Sequence, residues 1–309
     1  MPDKQPLRFT IENSSRPGEK ISIAGWEYGG AGKPIALLHH ANGFCGGTWE
    51  LVARRLIDHY NVIAIDARGH GDSYSGDVPA DYDWDFFVHD LLAVAKILLK
   101  QSQYNNIDLG VGSSFGGIIT AAAEAKQPGL FTRIALLDPP IHPTPLLVER
   151  FHLDIEPVNP VKSMLVAQTL KRRTHWPSLD EPRKSWRHKG MFANWSDEAF
   201  ELYLMKCLKE EENGSVRLKC DPKVEAHIFE TTGSLDVLQY APLIETPVLY
   251  ARAQTGHIPA EFCKGLTGLF KYGQYEEIRG GHLLPLESPN LVVDRLLSFA
   301  GITEKSGEE

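Results

Sequence analysis

The chain has 309 residues, of which 42% are apolar and 23% charged, values close to those of soluble globular proteins. This length and composition predict one compact unit with a large core and room for an inserted subdomain. The formal net charge of −8 argues against nucleic acid or an anionic membrane as a partner, because no global basic field attracts either. A small molecule is the expected partner, and the sequence leaves the oligomeric state open.

The cysteines and the first residues predict neither a metal site nor a targeting segment. The four cysteines lie far apart, without CxxC or another metal-ligand spacing, so we expect reduced, buried thiols and no metal. The N-terminal residues have no apolar stretch of signal-peptide length, and no uncharged run of about 18 residues occurs. We therefore expect a cytoplasmic protein.

Between residues 19 and 140, short apolar runs alternate with longer helical patterns. This rhythm is typical of βα units that form a mostly parallel sheet, whose strands are continuously apolar because helices cover both faces. The predicted strands are Ile21–Ala24, Ile35–His39, Val62–Asp66, Ile107–Gly112 and Ile134–Asp138, and the predicted helices are Trp49–Tyr60, Trp84–Lys100 and Phe115–Gln127.

The βα rhythm stops after Pro139. Prolines cluster at positions 139, 140, 143, 145, 157 and 160, and amphipathic helical segments follow without strands between them. The rhythm returns with strands at Pro247–Arg252 and Tyr275–Ile278 and a closing helix at Asn290–Phe299. We therefore predict a core made of residues 1–139 and 236–309, with a helical cap inserted at residues 140–235.

The pattern G-x-S-x-G around Ser114 lies between a predicted strand and a predicted helix. A nucleophile elbow requires this setting, since Gly112 and Gly116 permit a tight turn that projects the serine hydroxyl over the helix N-terminus. An ordinary Gly/Ser turn that caps a helix is the alternative. The strand and helix on either side favour Ser114 as a nucleophile.

With this pattern around Ser114, the chain resembles the α/β-hydrolase family over nearly its whole length. His40-Ala41-Asn42-Gly43 is similar to the family's H-G-x oxyanion loop, with Ala41 where glycine is usual, and residues 66–73 are similar to its structural D-x-R-G-x-G-x-S turn. The resemblance implies an α/β fold with a mostly parallel central sheet, flanking helices and an inserted helical cap. It also implies an oxyanion hole formed by the backbone N–H groups of Asn42 and Phe115.

A serine hydroxyl becomes a good nucleophile only when a base takes its proton, and a third group must orient that base. His282 follows the last predicted strand in a Gly-Gly-His sequence that resembles the family's G-x-H loop. It is the predicted base, and His257 is the second candidate.

The position of the carboxylate that orients the base departs from the commonest family pattern. The strand Pro247–Arg252 is followed by Ala-Gln-Thr-Gly-His, which contains no carboxylate. Some family members, including certain lactone hydrolases, carry the acid at the end of the strand after the nucleophile helix, where Asp138 stands. Strand C-terminal ends line the crevice of such a sheet, so Asp138 is the predicted acid. A turn before Pro139 is its alternative role, and Asp236 and Glu261 are rival acids.

The predicted cap is rich in aromatic and basic residues. Trp176, Trp186 and Phe192, together with His40, are candidate substrate-binding residues, although aromatic residues of a cap also serve to pack it on the core. The basic runs at residues 171–173 and 183–189 are typical of a solvated helix face; the alternative is attraction of a carboxylate-bearing substrate.

These features predict a cofactor-independent serine hydrolase of a small-molecule ester or lactone, acting through an acyl-enzyme. Carbon–carbon bond hydrolases and perhydrolases with a serine elbow are alternatives on the same fold, whereas epoxide hydrolases and haloalkane dehalogenases use an aspartate there. A metal-dependent hydrolase lacks clustered ligands. A receptor that captures a small molecule without turnover is the alternative from another class. The vacant acid position after Arg252 gives it some weight, whereas Ser114, His282 and Asp138 favour chemistry.

Overall fold

The computed structural model describes residues 5–141, 145–150, 152, 164–235 and 237–302. Their strands are, in chain order, β1 (Leu7–Glu12), β2 (Lys20–Tyr28), β3 (Ile35–His39), β4 (Asn61–Ile65), β5 (Ile107–Ser113), β6 (Phe131–Leu137), β7 (His175–Trp176), β8 (Leu208–Glu210), β9 (Val216–Leu218), β10 (Val248–Ala253) and β11 (Gly273–Ile278). Each strand that the sequence predicts coincides with one of these.

Eight of the strands form one sheet in the order β1-β2-β4-β3-β5-β6-β10-β11. β1 and β2 pair antiparallel at one edge, and every pairing from β4 to β11 is parallel. The predicted mostly parallel sheet is therefore confirmed. β1 was not predicted, although its alternation of buried Phe9 and Ile11 with exposed neighbours is the period-two pattern of a half-buried edge strand.

Helices cover both faces of this sheet. The described residues contain α1 (Glu50–Leu56), α2 (Trp84–Gln101), α3 (Phe115–Lys126), α4 (Pro145–Arg150), α5 (Met164–Leu170), α6 (Asp180–Trp186), α7 (Asp197–Cys207), α8 (Pro222–Glu230), α9 (Val237–Tyr240), α10 (Ala260–Thr267), α11 (Leu284–Glu287) and α12 (Pro289–Phe299). One core cluster joins the sheet to α2, α3 and α10, and a second joins it to α1 and α12. None of the described helices is long and apolar enough to cross a membrane.

α2 shows how the sequence builds one of these layers. Asp83 accepts a hydrogen bond from the backbone N–H of Asp85 and caps the helix. Its buried positions include Trp84, Phe87, Val88 and Leu91, which recur at three- and four-residue intervals and so form one apolar face against the sheet.

The segment between β6 and β10 contains helices α4 to α9 and also a small sheet. β7, β9 and β8 pair antiparallel in that order, so the prediction of helices without strands was wrong here. These strands have only two or three residues, too few to show a periodicity. The turn signal was present, because Gly214 adopts a φ of 79° after Asn213 in the β8–β9 hairpin.

All four cysteines are free thiols and buried, as predicted. Burial raises the pKa of the Cys207 and Cys220 thiols well above the ordinary value, which keeps them in the uncharged form.

Candidate active site

Ser114 lies in a sharp turn between β5 and α3. Its φ of 54° and ψ of −120° place it in a region that residues with a side chain rarely adopt. Such strain persists only where the surrounding structure imposes it, and it is common where a side chain must be presented for chemistry. The turn leaves the Ser114 side chain at the N-terminal end of α3.

Two glycines make this turn sterically possible. A Cβ on Gly112 would lie 2.2 Å from the Gly116 carbonyl oxygen, and a Cβ on Gly116 would lie 2.4 Å from the His39 carbonyl oxygen. Both distances are far below contact, and both obstacles are backbone atoms. The spacing G-x-S-x-G is therefore required here by the close approach of β5, α3 and the end of β3.

The structure brings the three predicted catalytic residues together. The Ser114 Oγ lies 2.8 Å from His282 Nε2, and His282 Nδ1 lies 2.7 Å from Asp138 Oδ2. Ser114 and Asp138 are buried, whereas the His282 side chain is 38% exposed. A hydroxyl, an imidazole and a carboxylate thus form one continuous hydrogen-bonded chain that is open to solvent at the imidazole.

Asp138 follows β6 directly and is fixed by the neighbouring strand β10. Its backbone N–H donates to the Ala251 carbonyl oxygen at 2.7 Å, and its Oδ1 accepts from the Ala253 N–H at 3.0 Å. A Cβ on Gly256 would lie 3.0 Å from the same Oδ1, so the absence of a side chain there leaves room for the carboxylate. Asp138 also has a positive φ of 46°, a conformation that aspartate tolerates better than most residues.

The rival residues lie elsewhere or outside the described chain. Glu261 is exposed near the start of α10, and His257 is exposed in the loop before it. Neither makes a hydrogen bond with a member of the Ser114, His282 and Asp138 chain among the described residues. Asp236 lies outside the described residues, as does part of the predicted cap.

The backbone N–H groups of Asn42 and Phe115 are free to bind an anion. Neither has an acceptor within the part of the chain that the structure describes. Phe115 opens α3, whose first N–H groups have no partner inside the helix and carry its positive dipole end. This is the electrostatic environment that a developing oxyanion needs.

His40 does not have the substrate-binding position that we predicted. Its ring is buried, its Nε2 accepts from the Ala67 N–H at 2.9 Å, and its Nδ1 donates to the Ala41 carbonyl oxygen at 2.7 Å. Burial holds the pKa of His40 well below its ordinary value, so the ring is neutral. Both nitrogens are used by the backbone, and His40 instead fixes the loop that contains Asn42.

The three aromatic candidates of the predicted cap pack on one another. The Trp186 ring stacks on Phe192 with centroids 5.5 Å apart and meets Trp176 edge-on at 5.0 Å. Trp176 and Phe192 are buried in a cluster with Tyr203, while Trp186 is half-buried. These contacts account for the residues as the interior of the segment between β6 and β10, and a role in substrate binding stays a prediction.

The arginines of the basic runs are paired with carboxylates. Arg183 contacts Glu201 at 2.8 Å, Arg187 contacts Asp197 at 2.7 Å, and Arg173 contacts Glu181. The charge of these arginines is therefore largely compensated within the segment between β6 and β10, which favours a solvated surface over attraction of an anionic substrate.

One neighbour of the oxyanion loop could not be found from the sequence. A Cβ on Gly43 would lie 2.8 Å from Glu225 Oε1, so the α8 carboxylate lies directly over the loop. Arg172 forms an ion pair with Glu225 and also donates to the Tyr203 hydroxyl at 3.3 Å. Burial raises the pKa of Glu225, and the Arg172 charge opposes that shift.

A sequence model of the alpha/beta hydrolase family matches residues 36–295. The chain belongs to this family. Among curated proteins, it is 28% identical to the N-formylmaleamate deformylase of Pseudomonas putida over 75% of the chain and 74% of that protein. It is 23% identical to a peroxisomal membrane protein of Saccharomyces cerevisiae over 83% of the chain and 72% of that protein.

Solved structures agree with this alpha/beta hydrolase fold. The structure of an E-2-(acetamidomethylene)succinate hydrolase superposes with a TM-score of 0.75 at 17% identity, covering 96% of this chain and 99% of the other. At such low identity the likeness shows the shared fold, and the chemistry must be argued from the site.

Proposed function

We propose that this alpha/beta hydrolase cleaves an ester or lactone bond of a small molecule through a serine acyl-enzyme. The observation that carries the proposal is the unbroken chain of contacts from the Ser114 hydroxyl through His282 to Asp138. This hydrogen-bonded series is the arrangement expected of a nucleophile, Ser114, a base, His282, and an acid, Asp138.

In the proposed reaction, His282 Nε2 takes the proton of Ser114 while the Oγ attacks the substrate carbonyl carbon. Asp138 Oδ2 accepts the Nδ1–H of His282, which selects the tautomer with a free Nε2 and stabilises the imidazolium. The N–H groups of Asn42 and Phe115 bind the oxyanion of the tetrahedral intermediate. His282 then protonates the leaving oxygen, and a water molecule activated by the same imidazole releases the acid.

Cleavage of an N-acyl bond is the second candidate. The relative that shares 28% identity over three quarters of this chain is named as a deformylase, and an amide passes through the same tetrahedral intermediate as an ester. The two candidates differ only in the leaving group that His282 must protonate.

The first experiment labels the protein with a fluorophosphonate and locates the adduct by mass spectrometry. We expect one adduct on Ser114 and none in Ser114→Ala, because only an activated serine attacks phosphorus at a useful rate. Wild type that stays unlabelled would favour the ligand-capturing alternative.

The second experiment measures turnover of p-nitrophenyl esters, lactones and N-formyl amides, with a chelator present and no cofactor added. We expect hydrolysis by wild type and loss of at least about 10³-fold in kcat for Ser114→Ala, whose folding is checked by circular dichroism. Turnover of amides alone would select the second candidate.

A further inference from the structure

The side chain of Asn42 joins the oxyanion loop to two separate parts of the molecule. Its Nδ2 donates to the main-chain oxygen of Glu225 in the cap helix α8 at 2.9 Å, and its Oδ1 lies 3.2 Å from His70 Nε2 in the core. The amide is buried, and both of its ends are engaged. The residue whose backbone N–H faces the proposed oxyanion is thus held through its side chain from opposite sides.

His70 is itself firmly placed. Its ring packs parallel to Phe115, the other proposed oxyanion donor, with centroids 6.3 Å apart, and its Nδ1 lies 3.0 Å from the Arg68 carbonyl oxygen. Burial lowers the pKa of His70 to about 4, so the ring carries a single proton at neutral pH. With that proton on Nε2, His70 donates to the Asn42 carbonyl oxygen.

The cap side of the contact is equally fixed. Glu225 lies in α8, its carboxylate covers Gly43, and Arg172, just after the end of α5, holds that carboxylate. A displacement of α8 would therefore move the Asn42 amide and, through it, the loop.

We propose that the side-chain amide of Asn42 is a positioning group, which sets the oxyanion N–H by tying it to His70 and to the cap helix α8. The inference rests on the proposed acyl-transfer function. Misplacement of a reacting or stabilising group by about 1 Å costs on the order of 10²-fold in rate, so a loop that loses both ties loses activity without losing its N–H.

The test compares Asn42→Ala with wild type on p-nitrophenyl acetate, a substrate too small to need the cap. Phosphonate titration counts competent sites, so that kcat is expressed per folded active site. We expect kcat to fall by about 10- to 100-fold with KM within about 2-fold, because the lost interaction acts on the transition state. Inhibition by an alkyl boronic acid, which forms a tetrahedral adduct on the serine, should weaken by the same factor.

Two substitutions of His70 separate the positions of its two ring nitrogens, of which only Nε2 carries the proton that Asn42 accepts. In His70→Gln the amide nitrogen replaces Nε2 and keeps the contact with Asn42, whereas in His70→Asn it replaces Nδ1 and keeps only the contact with Arg68. We expect His70→Gln to retain kcat within about 3-fold and His70→Asn to lose about 10-fold. Equal kcat values for the two variants would contradict the proposal.

Glu198→Gln is the matched control for cap docking. It removes a 2.6 Å ion pair between α7 and Arg54 of α1, which includes no residue of the oxyanion loop, and should leave kcat and the boronate affinity unchanged. If Asn42→Ala lowers only the melting temperature and the number of titrated sites, the amide merely holds the cap and the inference is wrong. Wild type that neither turns over substrate nor binds the boronate would overturn the proposed function as well.

Discussion

His282 Nδ1 faces Asp138, at the end of β6, across 2.7 Å, while the loop after β10 supplies no carboxylate to this imidazole. β6 and β10 are neighbours in the sheet, with Leu137 paired to Ala251, so the ends of both strands open beside the same histidine. A carboxylate can therefore reach His282 from either strand. This geometry explains why no carboxylate is needed after β10. The vacant position therefore does not favour a receptor over an enzyme.

Asp138→Asn should lower kcat by about 10⁴-fold with little change in the fold, because the amide selects the wrong tautomer of His282. Ester turnover and circular dichroism of the variant check this expectation. Glu261→Gln is the control and should match wild type, since that carboxylate is exposed on α10. Activity retained in Asp138→Asn and lost in Glu261→Gln would reverse the assignment.

A carboxylate placed at position 256 should partly replace Asp138. A Cβ on Gly256 would lie within about 3 Å of both Asp138 carboxylate oxygens. Asp138→Gly removes the acid and its two close oxygens, leaving the Ala253 carbonyl oxygen 3.0 Å from the new Cβ, and glycine accepts the φ of 46°. We expect the double variant with Gly256→Asp to exceed Asp138→Gly by about 10-fold or more in kcat. A double variant no faster than the single one would show that the two strand ends are not equivalent.

Gly116→Ala should destabilise the fold by about 3 kcal/mol or more, because its Cβ meets the His39 backbone oxygen at 2.4 Å and backbone cannot move aside cheaply. Gly30→Ala, where no atom lies within 4 Å of the new Cβ, is the control and should stay within about 0.5 kcal/mol. Urea unfolding measures both free energies. Equal midpoints for the two variants would show that the elbow is less tightly packed than the distances indicate.

Arg172→Gln should cost about 1–3 kcal/mol of stability, since it leaves the buried carboxylate of Glu225 without its cation. This loss of stability is smaller than for a fully buried ion pair, because the Arg172 side chain is 26% exposed and solvent screens its charge. Arg173→Gln breaks a more exposed pair with Glu181 and should cost at most about 0.5 kcal/mol. Thermal or urea unfolding of the two adjacent variants provides the comparison, and a larger loss for Arg173→Gln would contradict it.

The protein should lose stability on acidification from pH 7 to pH 5. Burial lowers the pKa of His39 and His70 to about 4 and that of His40 well below its ordinary value, so the unfolded chain binds more protons than the folded one in this range. His39 and His70 then cost roughly 2 kcal/mol each by pH 5, and His40 acts in the same direction.

Asp66 acts in the opposite direction. Burial raises its pKa to about 6, so its protonation in the folded state returns about 1 kcal/mol over the same range. The histidines outweigh it, and urea midpoints at the two pH values measure the net loss. His70→Gln should reduce that loss by about 2 kcal/mol, and an unchanged pH dependence in this variant would show that His70 does not titrate as described.

The sequence by itself determined the features that depend on neighbours along the chain. The strand β5, the Ser114 turn and the helix α3 follow from an apolar run, a glycine spacing and a helical pattern that adjoin one another between Ile107 and Lys126, and β3 follows from its own apolar run. The order of motifs then indicated His282. These signals are local because backbone conformation and glycine sterics are decided by adjacent residues.

Only the tertiary structure decided what meets across the fold. Asp138 and His282 are 144 positions apart, and Asn42 and Glu225 are 183 apart, so no spacing could pair the first two with certainty or reveal the second contact. The same holds for His40, whose Nε2 accepts from the Ala67 N–H, and for the two-residue strand β7, which forms only by pairing with β9. Each of these is a contact between distant segments, and such contacts are set by packing and hydrogen-bond satisfaction in three dimensions.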